Sequence, residues 1–508
     1  MEISNSNLRS PPTTNVACLN CREKHLKCDG NLNGCGRCDA LSLSCHFVPS
    51  RRGLAARRGQ QQNKFPYDPQ GLECANPQLD FAFTSADVDM SSPTAPNCNH
   101  LIRLYYLHFH QAHPFLPPYQ LWTLSNPPTY LVEIVEFTSL HYLPSSPVSD
   151  RSVELRTATE TAELSIEKAQ AFLLLSIILH ARCKPIEARE CIGQAIQCGL
   201  DLGFDNPESC NVTEIYTPFH AESVRRTWWE IYIIDTLLAT VQSGGILQFP
   251  ISTPNVALPN EDDVYFGACP SMIRVSDLGH RNPLSDRTNF SSLVYRAEAA
   301  IILRQCFIAS ETHIPQESVD ILDATISIWF HRFPKFKQAI LSTSGEVNEI
   351  DFQATMFMHC ASIYLHFSKS LLLPLLPTTS HIICSRPSDF SSPAANPKTH
   401  TAKTVSAAAD LSKLASLSIS VMDHSPFFAC IMVLSCVIQM AIISNQTPYQ
   451  SVKHRSFLAL NIQTIKSMGD IWTIAENAVP RLHAVAIELE RALNEQSMDL
   501  FNDQWALV

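Results

Sequence analysis

"CLNCREKHLKCDGNLNGCGRCDALSLSC", residues 18 to 45, holds six of the chain's 18 cysteines. They follow the spacing C-x2-C-x6-C twice, and six residues join the two repeats. Thiols clustered in this way can form disulfides, act in redox chemistry or bind a metal. The six cysteines are Cys18, Cys21, Cys28, Cys35, Cys38 and Cys45.

Zinc is the metal that fits this spacing. A structural zinc ion takes four tetrahedral ligands, and a C-x2-C pair places two thiolates on one ion with little strain. Six thiolates are too few for two separate four-thiolate sites, but they suffice for two Zn²⁺ ions if two of them bridge both ions. The near two-fold symmetry of the repeat makes Cys18 and Cys35 the expected bridges. Such a cluster has a net negative charge, which nearby Lys and Arg would offset.

Composition and charge limit the class of protein. The N-terminal stretch "MEISNSNLRSPPTTNV" has no apolar segment, so we expect no secretory signal and a reducing compartment, where thiols bind metal more often than they form structural disulfides. The net charge of −11 is unevenly spread. Residues 1–64 carry ten Lys or Arg against four Asp or Glu, and the remainder is strongly acidic. A small basic module on an acidic body indicates that the module binds a polyanion.

Given these residues, the segment resembles the fungal binuclear zinc cluster DNA-binding domain. The six-cysteine spacing matches throughout, and "CREKHLKCDG" has the basic residues that this family favours between its second and third cysteines. The resemblance implies two Zn²⁺ per chain bound by the six cysteines, and a first helix that enters the major groove. It therefore predicts double-stranded DNA as a partner, the nucleus as the location, and regulation of genes transcribed by RNA polymerase II.

Basic residues in and after the first half are the expected DNA contacts. Lysine can donate to guanine O6 and N7, and family members typically recognise CGG triplets through the positions that align with Lys24 and His25. The arginines of "PSRRGLAARRG" suit phosphate neutralisation. The expected contacts are Arg22, Lys24, His25, Lys27, Arg51, Arg52, Arg57 and Arg58.

Two departures from the family pattern leave the recognition site open. His25 stands where the family usually has Lys or Arg, and a neutral imidazole donates one hydrogen bond where an ammonium donates three. Asn33 stands where the family usually has proline, although Asn33-Gly34 can itself form a turn. These residues support an alternative hypothesis, an interaction or ligand-sensing protein whose zinc cluster no longer recognises DNA specifically.

The body of the chain has the pattern of helices and almost no strand-like alternation. Helices are expected at 100–113, 165–183, 185–204, 221–245, 290–311, 318–342, 350–374, 402–423, 426–444, 454–475 and 480–496. "YYLHFHQAHPFLP", "AIQCGLDLGF", "ESVRRTWWEIYIIDTLLA" and "GGILQFPISTPNVALPNEDD" resemble the regulatory region of fungal transcription factors, in that family's order. In the third motif, Trp228 and Trp229 are expected in the core. Arg225 and Arg226 are expected to bind buried carboxylates or helix ends, and Asp235 is expected to pair with a residue of another helix.

The fold class is therefore mostly α: a small zinc module, a disordered linker and a large all-helical regulatory domain. The linker, residues 65–100, has five prolines and five acids and no heptad pattern, so dimerisation stays open. The acidic-aromatic C-terminus could recruit coactivators, and the body could bind a small-molecule effector. The expected boundaries are 1–15, 16–48, 49–100, 101–496 and 497–508.

Three other functions are disfavoured. The apolar run 427–443 is short for a membrane span and contains Ser435 and Gln439, so we expect a buried helix and no membrane contact. His108, His110 and His113 do not share one helix face, so a packed aromatic segment is expected there and not a metal site. No P-loop, nucleophile elbow or H-E-x-x-H motif occurs, and the sequence predicts no enzyme.

Overall fold

The computed structural model describes residues 21, 27–29, 35–41, 98–143, 148–207, 218–242, 244–250, 253–279, 290–334, 347–372, 396–417, 420–446 and 449–505. The chain divides into two compact units, Met1–Ala82 and Phe83–Val508. The predicted linker lies almost entirely outside the described residues, as does the basic run at 49–59. Within the described residues the chain is helical and contains no β-strand, which confirms the predicted fold class.

The N-terminal unit contributes one described helix, α1 (Gly36–Ala40). In the second unit the helices up to residue 241 are α2 (Cys98–Leu104), α3 (His110–Ala112), α4 (Tyr119–Trp122), α5 (Thr129–Ser139), α6 (Ser152–Thr161), α7 (Ile166–Ala181), α8 (Pro185–Asp201) and α9 (Pro218–Val241). They are followed by α10 (Val275–Gly279), α11 (Ser292–Glu311), α12 (Gln316–Arg332), α13 (Glu349–Phe367), α14 (Pro397–Leu414), α15 (Phe427–Ser444), α16 (Val452–Gly469) and α17 (Thr473–Trp505).

Local chemistry sets several of these boundaries. Ser165 begins α7, where its side chain accepts a hydrogen bond from the Lys168 amide, and Pro185 occupies the first turn of α8, where its missing N–H costs nothing. Asn348 begins α13 by accepting from the amides of Ile350 and Asp351. The predicted helix pair at 165–204 is confirmed: α8 begins at Pro185 as expected, and α7 and α8 end two and three residues earlier than expected.

Helix α9 lies at the centre of the second unit and packs against α7, α8, α11 and α15. Trp228 and Trp229 are fully buried on it, as the sequence predicted. Other close pairs are α11 with α13, α13 with α14, and α15 with α16. One hydrophobic core runs through all of these helices.

The sequence prediction missed four helices and misplaced the start of another. Helices α4, α5, α6 and α10 were not expected. Helix α17 begins at Thr473 and not near Pro480, which lies inside it. The last predicted segment, 497–508, falls largely on α17, which runs to Trp505.

The first helix of this unit contains a π-helical turn. Residues Tyr105–Phe109 form it, between α2 and the short α3. Rare π turns place side chains at irregular angles and occur often beside functional sites. Here the turn precedes His110, which lines a cleft described below.

Candidate functional site

Three thiols of the cysteine cluster meet in the N-terminal unit. The sulfur atoms of Cys21, Cys35 and Cys38 all lie within 4.8 Å of one another, and all three residues are buried. Cys21 Sγ and Cys35 Sγ are 3.9 Å apart. A disulfide requires about 2.05 Å between sulfurs, so this pair is not bonded. Two thiolates on one tetrahedral zinc, each about 2.3 Å from the metal, stand about 3.8 Å apart. The observed spacing therefore fits zinc.

A second group of possible ligands shares one cysteine with the first. Cys28, Asp29 and Cys35 also have ligand atoms within 4.8 Å of one another. Cys35 is the member common to both groups, which is the place that a bridging thiolate must occupy. It also accepts a hydrogen bond from the Cys38 amide, N to Sγ 3.4 Å, at the start of α1. Such a contact favours a sulfur with negative charge.

Several predicted site residues lie outside the described residues. These are Cys18, Cys45, Arg22, Lys24, His25, Arg51, Arg52, Arg57 and Arg58. Lys27, the described member of the expected DNA contacts, is exposed beside the partly buried Cys28. Asp29 was not predicted as a possible ligand, although the sequence places it directly after a cysteine.

In the second unit, α9 carries a buried ionic network that the sequence only partly predicted. Glu222 accepts from Arg225 and from Arg226 Nε, and both arginines are at most 3% exposed. Arg226 also donates to Asp262 Oδ1 at 2.7 Å and to the Asn260 carbonyl at 2.7 Å. Both arginines thus pair with a buried carboxylate, as expected. Arg226 also links the loop around residue 260 to the central helix.

Asp235, near the end of α9, makes the predicted pairing across helices. Arg304 of α11 donates through Nη1 to Asp235 Oδ2 at 2.9 Å. The two oxygens of Asp235 also accept from the amides of Gln248 and Phe249, at 2.9 Å and 3.1 Å. Arg304 lies over the ring of Tyr232, 4.9 Å from its centroid. Because Arg304 and Asp235 are paired with each other, neither charge is buried without a partner, which would be costly.

His113 stands between a carboxylate and a hydroxyl in the order of a hydrolase triad. Its Nδ1 lies 2.7 Å from Glu230 Oε1, and its Nε2 lies 2.9 Å from Ser425 Oγ. Arg296 of α11 holds the same Glu230 through both of its terminal nitrogens. Ser425 is 2% exposed, so no substrate reaches its hydroxyl in this arrangement. We interpret the array as a structural network.

The three neighbouring histidines point into different surroundings, as the sequence predicted. His108 Nδ1 lies 2.7 Å from Asp423 Oδ1, and its ring stacks on Tyr142. His110 packs against Tyr106. His113 is held by Glu230, so the three rings have different partners.

Helix α15 is long and apolar enough to cross a membrane by length and composition, yet 94% of its apolar window is buried inside the protein. Its polar side chains are satisfied by neighbouring helices. Ser435 Oγ is hydrogen-bonded to Ser412 Oγ at 3.1 Å, and Gln439 Oε1 accepts from His454 Nδ1 at 2.7 Å. The prediction of a buried core helix is confirmed.

A polar cleft of about 510 Å³ opens beside the π turn, and its walls include the first residues of α11 and α13. Arg226, Asp262, Glu349 and His110 line it. Nδ1 of His110 is buried and has no hydrogen-bond partner within the described part of the chain. Burial lowers the pKa of His110 to about 4, so its ring is neutral near pH 7. His110 therefore contributes a neutral ring to the lining of the cleft.

Comparison with known families confirms both resemblances drawn from the sequence. Residues 16–54 match the fungal Zn(2)-Cys(6) binuclear cluster domain, and residues 102–267 match the fungal specific transcription factor domain. The C6 finger domain transcription factor iacK of Pestalotiopsis fici is 26% identical to the chain over 563 aligned positions, which cover 95% of this chain and 82% of that protein. The transcription factor rglT of Emericella nidulans is 32% identical over 100 residues, which cover 18% of this chain and 24% of that protein.

Proposed function

We propose, on the premise that the chain carries both domains of the fungal zinc-cluster transcription factors, that it is a sequence-specific DNA-binding regulator of RNA polymerase II genes. The observation that supports this most strongly is the cluster of thiols around Cys35, at zinc-like spacing, within the matched DNA-binding domain. A protein with this task works in the nucleus. We propose no catalytic role, because the triad-like array around His113 is buried.

The zinc ions hold the N-terminal module in shape. All six cysteines of residues 18–45 bind two Zn²⁺, with Cys18 and Cys35 shared. Zinc here is structural: it replaces the core that a module of this size cannot build from apolar side chains. The basic residues between the first three cysteines are then presented together to DNA.

DNA contacts divide into two kinds. Lys24, His25 and Lys27 meet base edges in the major groove at CGG-like sites, with Arg22 beside them. The arginines at 51–58 neutralise phosphates and add affinity that does not depend on sequence. The exposure of Lys27 supports this assignment.

The helical body, residues 101–496, regulates the DNA-binding module. The cleft beside His110 is the place where a small-molecule effector would bind, since its volume falls in the range of ligand pockets and polar side chains line it. Coactivators would contact the C-terminal segment 497–508. We propose a metabolic or secondary-metabolite biosynthesis pathway as the target, because regulators of this layout are common there.

A mobility-shift titration with the full chain tests the DNA-binding function. Replacing both Arg57 and Arg58 with Ala should weaken binding to all DNA about equally and lower the salt dependence of log K by roughly 2, about one for each lost phosphate contact. Lys24→Ala should instead lower the preference for the specific site.

The alternative function gives a different result in the same assay. If His25 and Asn33 mark a cluster that has lost base recognition, wild-type binding will be salt-sensitive but equal on all sequences, and Lys24→Ala will change nothing. That result would leave an interaction or ligand-sensing protein as the better description.

A further inference from the structure

Two histidines outside the cysteine cluster face each other in the helical body. His366 lies in the last turn of α13, and His400 lies in the first turn of α14. Their Nδ1 atoms are 2.9 Å apart. His366 is 1% exposed and His400 is 6% exposed. The two imidazole nitrogens therefore face each other in a buried place between the helices.

A carboxylate fixes the outer nitrogen of His366. Its Nε2 lies 3.0 Å from Asp323 Oδ1 of α12. Lys403 forms an ion pair with the same Asp323 and keeps it ionised. An ionised carboxylate can only accept, so His366 Nε2 donates and its Nδ1 keeps a lone pair toward His400. A carboxylate that holds the outer nitrogen of a histidine is the usual outer-shell partner of a metal-binding histidine.

Both rings are neutral at physiological pH. Burial lowers the pKa of His366 to about 4 and also lowers the pKa of His400. The charges around the pair balance, since Asp320 and Asp323 oppose Lys369 and Lys403. A neutral imidazole is the form that binds metal, so no proton has to be removed from a cation first.

Open space adjoins the two histidines. A cavity of about 220 Å³ is lined by His366, His400, Lys403 and Asp320, among others. It is large enough for several water molecules, each of which occupies about 30 Å³. Two protein nitrogens and two waters from this cavity would complete a four-coordinate ion.

We propose that His366 and His400 form a binding site for a divalent first-row transition ion such as Zn²⁺, separate from the cysteine cluster. Two nitrogens about 2.05 Å from a tetrahedral ion stand about 3.3 Å apart and aim at a point to one side of the line that joins them, so the rings need to separate by a few tenths of an ångström and each must turn by roughly 35°. His400 now carries its proton on Nδ1, and on metal binding this proton is exchanged through water for one on Nε2, so that both rings stay neutral. The ion then links α13 to α14, and Asp323 of α12 holds the ring of His366 in position.

Metal analysis of the full, untagged chain tests this site. After dialysis against Zn²⁺, the wild-type protein should hold one ion more per chain than the His400→Gln variant. His331→Gln removes an exposed histidine of α12 and should keep the wild-type metal content. Asp323→Asn, a change in the positioning residue, should weaken the affinity for this ion roughly tenfold or more. Equal zinc content in wild type and His400→Gln would overturn the proposal.

Cobalt distinguishes this ion from those of the cysteine cluster. Co²⁺ added to wild-type protein that carries only two Zn²⁺ per chain, with the histidine site left empty, should give weak visible d–d absorption without the intense charge-transfer band that thiolate ligands produce. Cys35→Ala should leave this absorption in place, so failure of the cluster and failure of this site are separable. If His400→Gln does not fold, the wild-type spectrum decides alone: no new visible absorption, or a thiolate band, would refute a histidine site.

Discussion

Arg296 and Glu230 form a two-bond ion pair inside the core, with Nη1 on Oε2 and Nη2 on Oε1, each at 2.8 Å. The two residues lie on α11 and α9 and are 1% and 4% exposed. Burial alone would raise the pKa of Glu230, but the charge of Arg296 and the hydrogen bond from His113 together lower it to about 2. The pair therefore stays ionised across the physiological range and fixes the central helix against its neighbour.

Removing one partner of this pair should destabilise the body strongly. Arg296→Ala leaves Glu230 charged and buried without its main counter-ion, which costs about 3–5 kcal/mol. Urea unfolding followed by circular dichroism measures the loss. Arg156→Ala is the matched control, since Arg156 pairs with Glu160 at the surface of α6 and such pairs contribute about 0–1 kcal/mol. A loss below about 1 kcal/mol for Arg296→Ala would show that the pair does not hold the core together.

Acid should weaken the body well above pH 4 because several histidines are buried in the neutral form. Burial lowers the pKa of His180 to about 3, and its ring stacks on Phe427. Below about pH 6.5 the unfolded chain binds a proton at this position, but the folded chain does not until about pH 3. Stability is therefore complete above about pH 6.5 and falls as the pH drops below it.

The size of this effect can be measured by comparing unfolding free energies at pH 7 and pH 5. Between pH 7 and pH 5 the free energy of unfolding should fall by about 2 kcal/mol less in His180→Gln than in wild type. The variant lacks the imidazole that takes up a proton in the unfolded chain but not in the folded chain. His331→Gln, at an exposed position, should leave the pH dependence unchanged. An identical pH dependence in wild type and His180→Gln would mean that His180 is not buried in neutral form.

Two glycines of α8 should respond in opposite ways to alanine. A Cβ on Gly199 would lie 2.5 Å from Trp228 Cζ3 and 3.3 Å from Phe204 Cδ2, so Gly199→Ala should cost about 1–3 kcal/mol by overpacking. A Cβ on Gly193 would meet only the end of the Gln248 side chain. Gly193→Ala should therefore be neutral or stabilise by up to about 1 kcal/mol, as alanine favours helix. Thermal unfolding of the two variants measures the difference. Equal stability changes in Gly199→Ala and Gly193→Ala would contradict the close packing at Gly199.

Loss of the shared thiol should damage the zinc cluster more than loss of an unshared one. Cys35→Ala removes a ligand from both ions, whereas Cys38→Ala removes one from a single ion. The expected result is that Cys35→Ala loses two zinc ions per chain by elemental analysis, while Cys38→Ala keeps at least part of one. Cys269→Ala alters an exposed cysteine of the body and should lose none. Equal loss in Cys35→Ala and Cys38→Ala would argue against a bridging role for Cys35.

The candidate site was predictable because its ligands lie close together in the chain. Six cysteines within 28 residues at a repeated spacing predict zinc, and three of them meet in the structure. The two histidines at 366 and 400 had no such signal, since 34 residues separate them and only the packing of α13 on α14 brings them together. The same holds for Glu230 and Arg296, which are 66 residues apart.

The helices that the sequence failed to predict are those that depend on tertiary packing. Helix α5, "TYLVEIVEFTS", is rich in β-branched residues, and α6, "SVELRTATET", has few apolar positions, so neither shows a clear helical pattern. Both pack against α7, which supplies the stability that their own sequences lack. Helix α17 begins before Pro480 because Trp472, Ile474 and Ala475 are buried there.

Selection of binding sites from random DNA by the full chain tests the central claim most directly. A zinc-cluster regulator with the basic residues of "CREKHLKCDG" should enrich a defined CGG-like element, and the enrichment should disappear when zinc is removed with a chelator. Recovery of no common element from zinc-loaded protein, with binding that depends only on salt, would contradict a sequence-specific regulator.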